Sequence, residues 1–154
     1  MCGICGFFSI QGWQRDGKQV AGRMADRIVH RGPDDAGIWT DDVAGIALGH
    51  RRLAILDLSP AGHQPMISAN GRYVIAFNGE IYNHLILRKS LEKSAPPLGG
   101  LWVKDSGQEK LVWRGHSDTE TLLAAISTWG VEGALKKCVG MFAFALWDRE
   151  ARTL

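Results

Sequence analysis

The chain opens Met1-Cys2, a pair that can place a nucleophile and a base on one residue. Removal of Met1 leaves Cys2 with both a thiol and a free α-amine. An α-amine titrates near pKa 7.7 to 8.0, against about 10.4 for a lysine, so close to neutral pH part of it is unprotonated and can act as a base. A thiol of pKa about 8.5 is only a few per cent thiolate at about pH 7, yet it is strongly nucleophilic, and an adjacent base complements it. A cysteine also follows an initiator methionine by chance, so the rest of the chain has to supply what a cysteine hydrolase needs.

Three further sets of residues carry chemistry. Asn78-Gly79 follows an apolar run and reads either as a turn ending a strand or as an oxyanion hole. In the second reading the Asn amide and the Gly backbone N–H meet developing charge, and glycine lets the backbone approach the reacting carbon closely. Arg52 reads as a solvated strand end or as an anion site, and Asp118 as a helix-terminus charge or as a cation site. Together they match the carboxylate and ammonium of an α-amino acid. Cys2 and Cys5 also form a Cys-x-x-Cys. A structural zinc site needs four nitrogen or sulfur ligands, and the five histidines show no second close pair, so no metal is expected. A redox pair normally opens a helix, whereas this one precedes a strand, and Cys5 reads as a buried small residue.

The elements that must position these residues follow from periodicity. Residues 6–10 read as a short buried strand placing Cys2 at its start, and 19–29 as an amphipathic helix on Val20, Met24 and Ile28. Residues 37–40 and 43–48 read as a strand pair, 53–58 as a further extended segment and 59–65 as a loop. Asn70-Gly71 signals a hairpin with a type I′ turn, returning through strand 73–77 to Asn78. A helix carrying Leu85, Leu87 and Leu91 comes next. Residues 94–115 read as a surface excursion with a short strand at 111–113. Ser117 and Glu120 have capping-box spacing, so a helix starts there and ends near Gly130, placing Asp118 at its N-terminus. A second short helix over 131–139 leads into an alternating strand, 141–147, with Phe142, Phe144 and Leu146 on one face and Met141, Ala143, Ala145 and Trp147 on the other.

At 154 residues, with 45% hydrophobic and 22% charged residues, the chain suits one domain with a real core. Eighteen basic and 16 acidic residues are interspersed for a net charge of +2, without the basic run that marks a nucleic-acid or membrane surface. A small-molecule partner is therefore expected, with neither nucleic acid nor membrane. No apolar run reaches the length of a membrane span and no signal peptide is visible, so the expected compartment is the cytoplasm. Three cysteines argue for free thiols. No dinucleotide or phosphate-binding glycine motif is present.

Six ordered stretches carry a resemblance: Met1-Cys2-Gly3-Ile4-Cys5-Gly6, His30-Arg31-Gly32-Pro33-Asp34-Asp35, Gly49-His50-Arg51-Arg52-Leu53, Phe77-Asn78-Gly79-Glu80-Ile81-Tyr82-Asn83, Ser117-Asp118-Thr119-Glu120 and Gly140-Met141-Phe142-Ala143-Phe144. Together they resemble the glutaminase domain of glutamine-dependent asparagine synthetases, which are class II glutamine amidotransferases. The resemblance spans nearly the whole chain apart from about residues 95–114. Arg31-Gly32-Pro33-Asp34-Asp35, and Leu53-Ala54-Ile55-Leu56-Asp57 running into Gln64-Pro65, set it nearer to those enzymes than to the glucosamine-phosphate or purine-pathway members.

The resemblance implies an α+β fold of the N-terminal-nucleophile hydrolase type, a four-layer α-β-β-α sandwich with two stacked antiparallel sheets between helical layers. It implies Cys2 as nucleophile, Asn78 and Gly79 as the oxyanion hole, Arg52 on the glutamine carboxylate, and Glu80 and Asp118 on its ammonium. Arg51 is the rival for Arg52, but the family arginine directly precedes the leucine, which selects Arg52. The implied reaction is hydrolysis of L-glutamine to glutamate and ammonia, the ammonia destined for ATP-dependent amidation of aspartate. Another carboxylate acceptor, including one on a sugar polymer, is the alternative, as is a silent binding module. No cofactor is implied for this domain; ATP and magnesium belong to a C-terminal synthetase domain, the expected partner, and a homodimer of the full-length enzyme is left open. Residues 1–154 then read as a type 2 glutamine amidotransferase domain that is incomplete at its C-terminus. Strand 141–147 would lack most of its partner, so the fragment alone is expected to be aggregation-prone and weakly active or inactive.

Overall fold

The chain was analysed as a computed structural model, which describes residues 1–11, 13, 16–55, 57, 59–93, 101–105 and 108–154, with 101–105 and 108–110 described in their backbone alone. Strand β1 (Gly3–Phe8) begins directly after Cys2. It pairs antiparallel with β3 (Ile46–Arg52), whose other edge pairs with β2 (Asp35–Asp41). Gly3 stands opposite Arg51, and Asp35 opposite Arg52. The central strand is buried at six of its seven positions, as expected of a strand covered on both faces. One face is covered by helix α1 (Gly17–Arg27), which buries Gly17, Ala21 and Ala25 and is capped by Asp16, whose carboxylate accepts the Gln19 N–H at 3.2 Å.

The sequence places β1 three residues late and α1 two residues late. The ladder with β3 starts at Gly3 and ends at the Phe8–Ile46 pair, so Ile10 has no partner strand and is 92% exposed. Residues 43–45 form a turn, and β3 runs on through His50-Arg51-Arg52. The strand expected over 53–58 does not form among its described residues. The Leu53 N–H goes to the Cys2 sulfur and the Ala54 N–H to the Asp34 carboxylate, which removes both from any ladder. Leu56 and Leu58 lie outside the described residues.

The second sheet has the order β4 (Met66–Ile67), β5 (Tyr73–Ile81), β8 (Gly140–Asp148), all antiparallel. The hairpin at Asn70-Gly71 exists, but not as a type I′ turn. Only Gly71 has positive φ (74°), its N–H bonds Ser68 O at 2.9 Å, and Asn70 Oδ1 accepts from Ser68 Oγ and Arg72 N. The five-residue connection has room for an ordinary turn followed by one left-handed glycine. Strand β8 alternates as its sequence indicates. Phe142, Phe144 and Leu146 pack on a cluster shared with Ile75, Phe77, Leu122 and Leu123, while Trp147 joins Ile46, Leu48 and Val74. The second sheet is thereby held between the first sheet and the helices, with about 1.5 to 3 kcal/mol gained for each large apolar side chain fully buried.

Helix α2 (His84–Glu92) buries Leu87 and Leu91 but leaves Leu85 62% exposed. The excursion contains a hairpin of β6 (Leu101–Asp105) and β7 (Gln108–Val112), longer than the three-residue strand expected; 94–100 and 106–107 lie outside the described residues. Helix α3 (Asp118–Leu135) joins the two expected helices across a kink at Gly130 (φ 71°, ψ 170°). Half of the capping box forms: Ser117 Oγ accepts the Glu120 N–H at 3.2 Å. The Glu120 carboxylate instead accepts the N–H groups of Arg114 and Gly115 and lies 3.6 Å from the Arg88 guanidinium.

Candidate active site

Arg52 at the end of β3, Asn78 to Glu80 near the end of β5, Asp118 at the start of α3 and Cys2 before β1 line one cavity of about 250 Å³. All six site residues named from sequence, Cys2, Arg52, Asn78, Gly79, Glu80 and Asp118, reach it, with Leu53, Asp57, Gln64, Tyr82, Thr119 and Met141 also contributing wall. The Leu53 N–H donates to Cys2 Sγ at 3.3 Å, and the sulfur lies 3.6 Å from Leu53 O. Arg31 Nε donates to Cys2 O at 3.2 Å and fixes the backbone behind the thiol.

Asn78 and Gly79 do not end their strand. They pair with Ala143 and Phe142 of β8, and β5 continues to Ile81. Gly79 has φ +149°, a region that disfavours any side chain, and a Cβ there would strike Met141 O and the Phe142 backbone. Among the described residues no protein group hydrogen-bonds the Asn78 carboxamide. It stands half-buried on the cavity wall with its donors available.

Alternation along β3 separates the two arginines. Arg51 turns to α1, where its Nη2 meets Asp26 at 2.5 Å and its Nε donates to Ala25 O. Arg52 faces the cavity and is 8% exposed; its guanidinium donates to the backbone carbonyls of Ser59 (3.0 Å) and Asp57. Among the described residues no carboxylate lies within ion-pair distance of it, so its charge is left for an anion. Gly62 packs flat on this guanidinium, and a Cβ there would collide with Nη2. Asp57 holds the loop: its carboxylate accepts from Ser59 N, Ser59 Oγ and His116 N at 2.6 to 2.8 Å. Those bonds, the Ser59 hydroxyl foremost, bring its pKa down to about 2.

Asp118 is 5% exposed, and its Oδ2 accepts the Ile81 N–H at 2.9 Å. Burial pushes its pKa up, with the Ile81 bond opposing. Glu80 is exposed at the rim. The cavity carries one arginine and three carboxylates; with Asp57 taken up by the N–H and O–H groups of its loop, Arg52, Glu80 and Asp118 are left to suit a zwitterionic amino acid.

The two cysteines of Cys-x-x-Cys serve different places. Cys5 Sγ is aimed at Ala21 O of α1 at 3.9 Å, half-buried, and burial pushes its thiol pKa up. All three cysteines are free. Among the described residues no cluster of three or more His, Cys, Asp or Glu forms a metal-binding group, and no helix is long and apolar enough to cross a membrane. Sequence reasoning missed Asp57, Gly62, Gln64 and Thr119 as parts of the site. Gln64-Pro65 carried the resemblance without a role, and Gly62 lay hidden in a loop rich in turn residues.

The chain is 37% identical to asparagine synthetase B, glutamine-hydrolyzing, of Escherichia coli, with 97% of this chain and 24% of that protein covered. It is 36% identical to asparagine synthetase 1, glutamine-hydrolyzing, of Bacillus subtilis, over 100% of this chain and 22% of the relative. It is 33% identical to amidase chry2 of Gibberella zeae, again over 100% and 22%. The chain thus spans less than a quarter of the length of these relatives. Residues 1–154 match the family described as the glutamine amidotransferase domain, and the chain belongs to that family.

Proposed function

We propose that this domain hydrolyses L-glutamine to glutamate and ammonia as the ammonia-supplying part of a longer synthetase. The observation that carries the reading is the convergence of the Cys2 thiol, the unpartnered Asn78 carboxamide, the Arg52 guanidinium and the Glu80 and Asp118 carboxylates on one cavity. Two sheets enclosed by α1 on one side and by α2 and α3 on the other support a four-layer N-terminal-nucleophile hydrolase sandwich. Residues 1–154 are read as its glutamine amidotransferase type 2 domain.

With Met1 removed, the Cys2 α-amine takes the thiol proton as Sγ attacks the side-chain amide carbon of glutamine. The C–S bond forms while the carbonyl π bond opens onto oxygen, and Asn78 Nδ2 and the Gly79 N–H meet the oxyanion. Collapse of this intermediate breaks the C–N bond, and the α-ammonium returns its proton to the departing nitrogen, which leaves as ammonia. Water, deprotonated by the same amine, attacks the thioester; C–S cleavage releases glutamate and the proton returns to sulfur. Arg52 holds the substrate carboxylate, and Asp118 with Glu80 its ammonium. The ammonia acceptor lies with a C-terminal, ATP- and magnesium-dependent synthetase domain, and aspartate is the acceptor suggested by the names of the asparagine synthetase relatives. One relative is named an amidase and not an asparagine synthetase, and the second reading is that the same glutaminase feeds a carboxylate other than aspartate.

Glutamate release from L-glutamine by the protein expressed from its whole coding sequence tests the reading. Asn78→Ala should lower kcat by about 10² to 10³ with little change in KM, since it removes a donor to charge present only in the transition state. A rise in KM at unchanged kcat would overturn the oxyanion assignment.

A further inference from the structure

Strand β4 begins two residues too late to complete the edge of β5 beside the oxyanion residues. Its register pairs Met66 with Ile75 and Ile67 with Val74, and extending it would set Gln64 against Phe77. The backbone of Gln64 has not yet joined the ladder, its carbonyl lying against Gly37 of β2, where a Cβ would strike it. The Phe77 N–H and C=O are nonetheless both satisfied, and by side chains. Gln64 Oε1 accepts the Phe77 N–H at 2.6 Å, and His50 Nε2 bonds Phe77 O at 2.9 Å. Because a carbonyl only accepts, His50 carries its proton on Nε2.

The other end of the Gln64 carboxamide donates to Thr119 Oγ1 at 3.3 Å. Gln64, Phe77, His50 and Thr119 are all at most 6% exposed. A buried chain of hydrogen bonds therefore runs from β3, two residues before Arg52, across β5 one residue before Asn78, to α3 one residue after Asp118. Bonds of this kind are worth most away from water, and leaving a buried amide N–H unpaired is costly.

We propose that Gln64 is a positioning residue: its carboxamide stands in for the missing β4 backbone and sets Asn78 and Asp118 at their working separation. The proposal rests on the glutaminase reading above, in which Asn78 meets the oxyanion. A carboxamide meets the need without titrating, because this position must accept from a backbone N–H and donate to a hydroxyl at once. Methionine fills the same length but does neither.

A double-mutant cycle on the protein expressed from its whole coding sequence tests this. Gln64→Met should lower kcat for glutamate release by about 10- to 100-fold, the size of loss expected when a reacting geometry loosens, with KM changed less than about threefold. In the Asn78→Ala background the same change should cost less than about twofold, because a group acting through Asn78 has nothing left to position. Equal losses in both backgrounds, or a lowered melting temperature with unchanged kcat, would overturn the proposal and leave Gln64 as structure alone. Should Gln64→Met not fold, Gln64→Glu decides: neutral glutamic acid both accepts and donates, glutamate only accepts. Its kcat relative to wild type should rise as pH falls through the pKa of the new carboxyl, and a flat ratio would overturn the proposal. If Asn78→Ala itself leaves kcat unchanged, the oxyanion reading fails first, and that outcome is distinct from both.

Discussion

The Leu53 backbone N–H points at the Cys2 sulfur from 3.3 Å, one residue after the arginine that faces the same cavity. A backbone donor fixes where the sulfur sits, and it does so whatever side chain stands at 53. Departure of the chain from strand geometry after Arg52 is what frees that N–H from a ladder. The same bend that ends β3 therefore supplies both a guanidinium and a sulfur ligand to the site.

Cys2 and Cys5 should separate cleanly in activity. Cys2→Ala should abolish glutamate release, whereas Cys5→Ala, which removes a packing contact against α1, should leave kcat within about threefold. Active protein should also lack Met1 by intact-mass measurement, because an amide-bonded Cys2 nitrogen has no lone pair to act as a base. Full activity with Met1 retained on every chain would rule the mechanism out.

Gly62→Ala should imitate Arg52→Ala. A methyl at 62 occupies the place of Arg52 Nη2, so the guanidinium must move, and in the proposed reading the substrate carboxylate then loses its partner. Both variants should raise KM for glutamine at least about tenfold while changing kcat less, the pattern of a contact already made in the ground state. A Gly62→Ala enzyme with wild-type KM would show that Arg52 does not hold the carboxylate.

Much of this was legible in the sequence because strand alternation and motif residues act locally. Phe142, Phe144 and Leu146 against Trp147 follow from a period of two, and Asp118 at a helix N-terminus follows from Ser117 and Glu120. What was not legible depends on partners distant in the chain. Asn78-Gly79 looks like a turn until β8 pairs with it, and 53–58 looks like a strand until Cys2 and Asp34 claim its amides. Glu120 satisfies capping-box spacing, yet its carboxylate is drawn to Arg88 and Arg114. Gln64 carried part of the resemblance but gave no local sign of a role, since that role arises from a strand, β4, that begins two residues after it.

Asp57 should make the fold acid-sensitive in a defined window. Its folded pKa, about 2, lies below the ordinary carboxylate value, so the folded state binds its proton less readily than the unfolded chain. The stability this contributes is present above the unfolded pKa of about 3.9 and is lost as pH falls through about 2. Asp57→Asn should therefore melt below wild type at about pH 6, with the gap closing as pH drops across that window. A gap that stays constant would mean that the loop is held by shape and not by the Asp57 charge.

Asp118 should behave in the opposite sense, and its two properties should trade against each other. Burial raises its folded pKa above the ordinary carboxylate value, so the ionised form destabilises the folded state, and that cost is relieved as pH falls through the folded pKa. Asp118→Asn keeps an oxygen for the Ile81 N–H while removing the buried charge. It should melt higher than wild type at about pH 7 and lose that advantage in acid, where wild-type Asp118 is neutral as well. In the proposed reading the charge serves the substrate: an ammonium beside it would make ionisation favourable again, and glutamine binding would then be linked to Asp118 ionisation. KM for the wild type should rise as pH falls through the Asp118 pKa. In Asp118→Asn it should be high throughout, with that acid limb gone. Melting curves and KM measured over the same pH series decide the matter, and a variant that is more stable yet binds glutamine as tightly as wild type would show that the ammonium is held elsewhere.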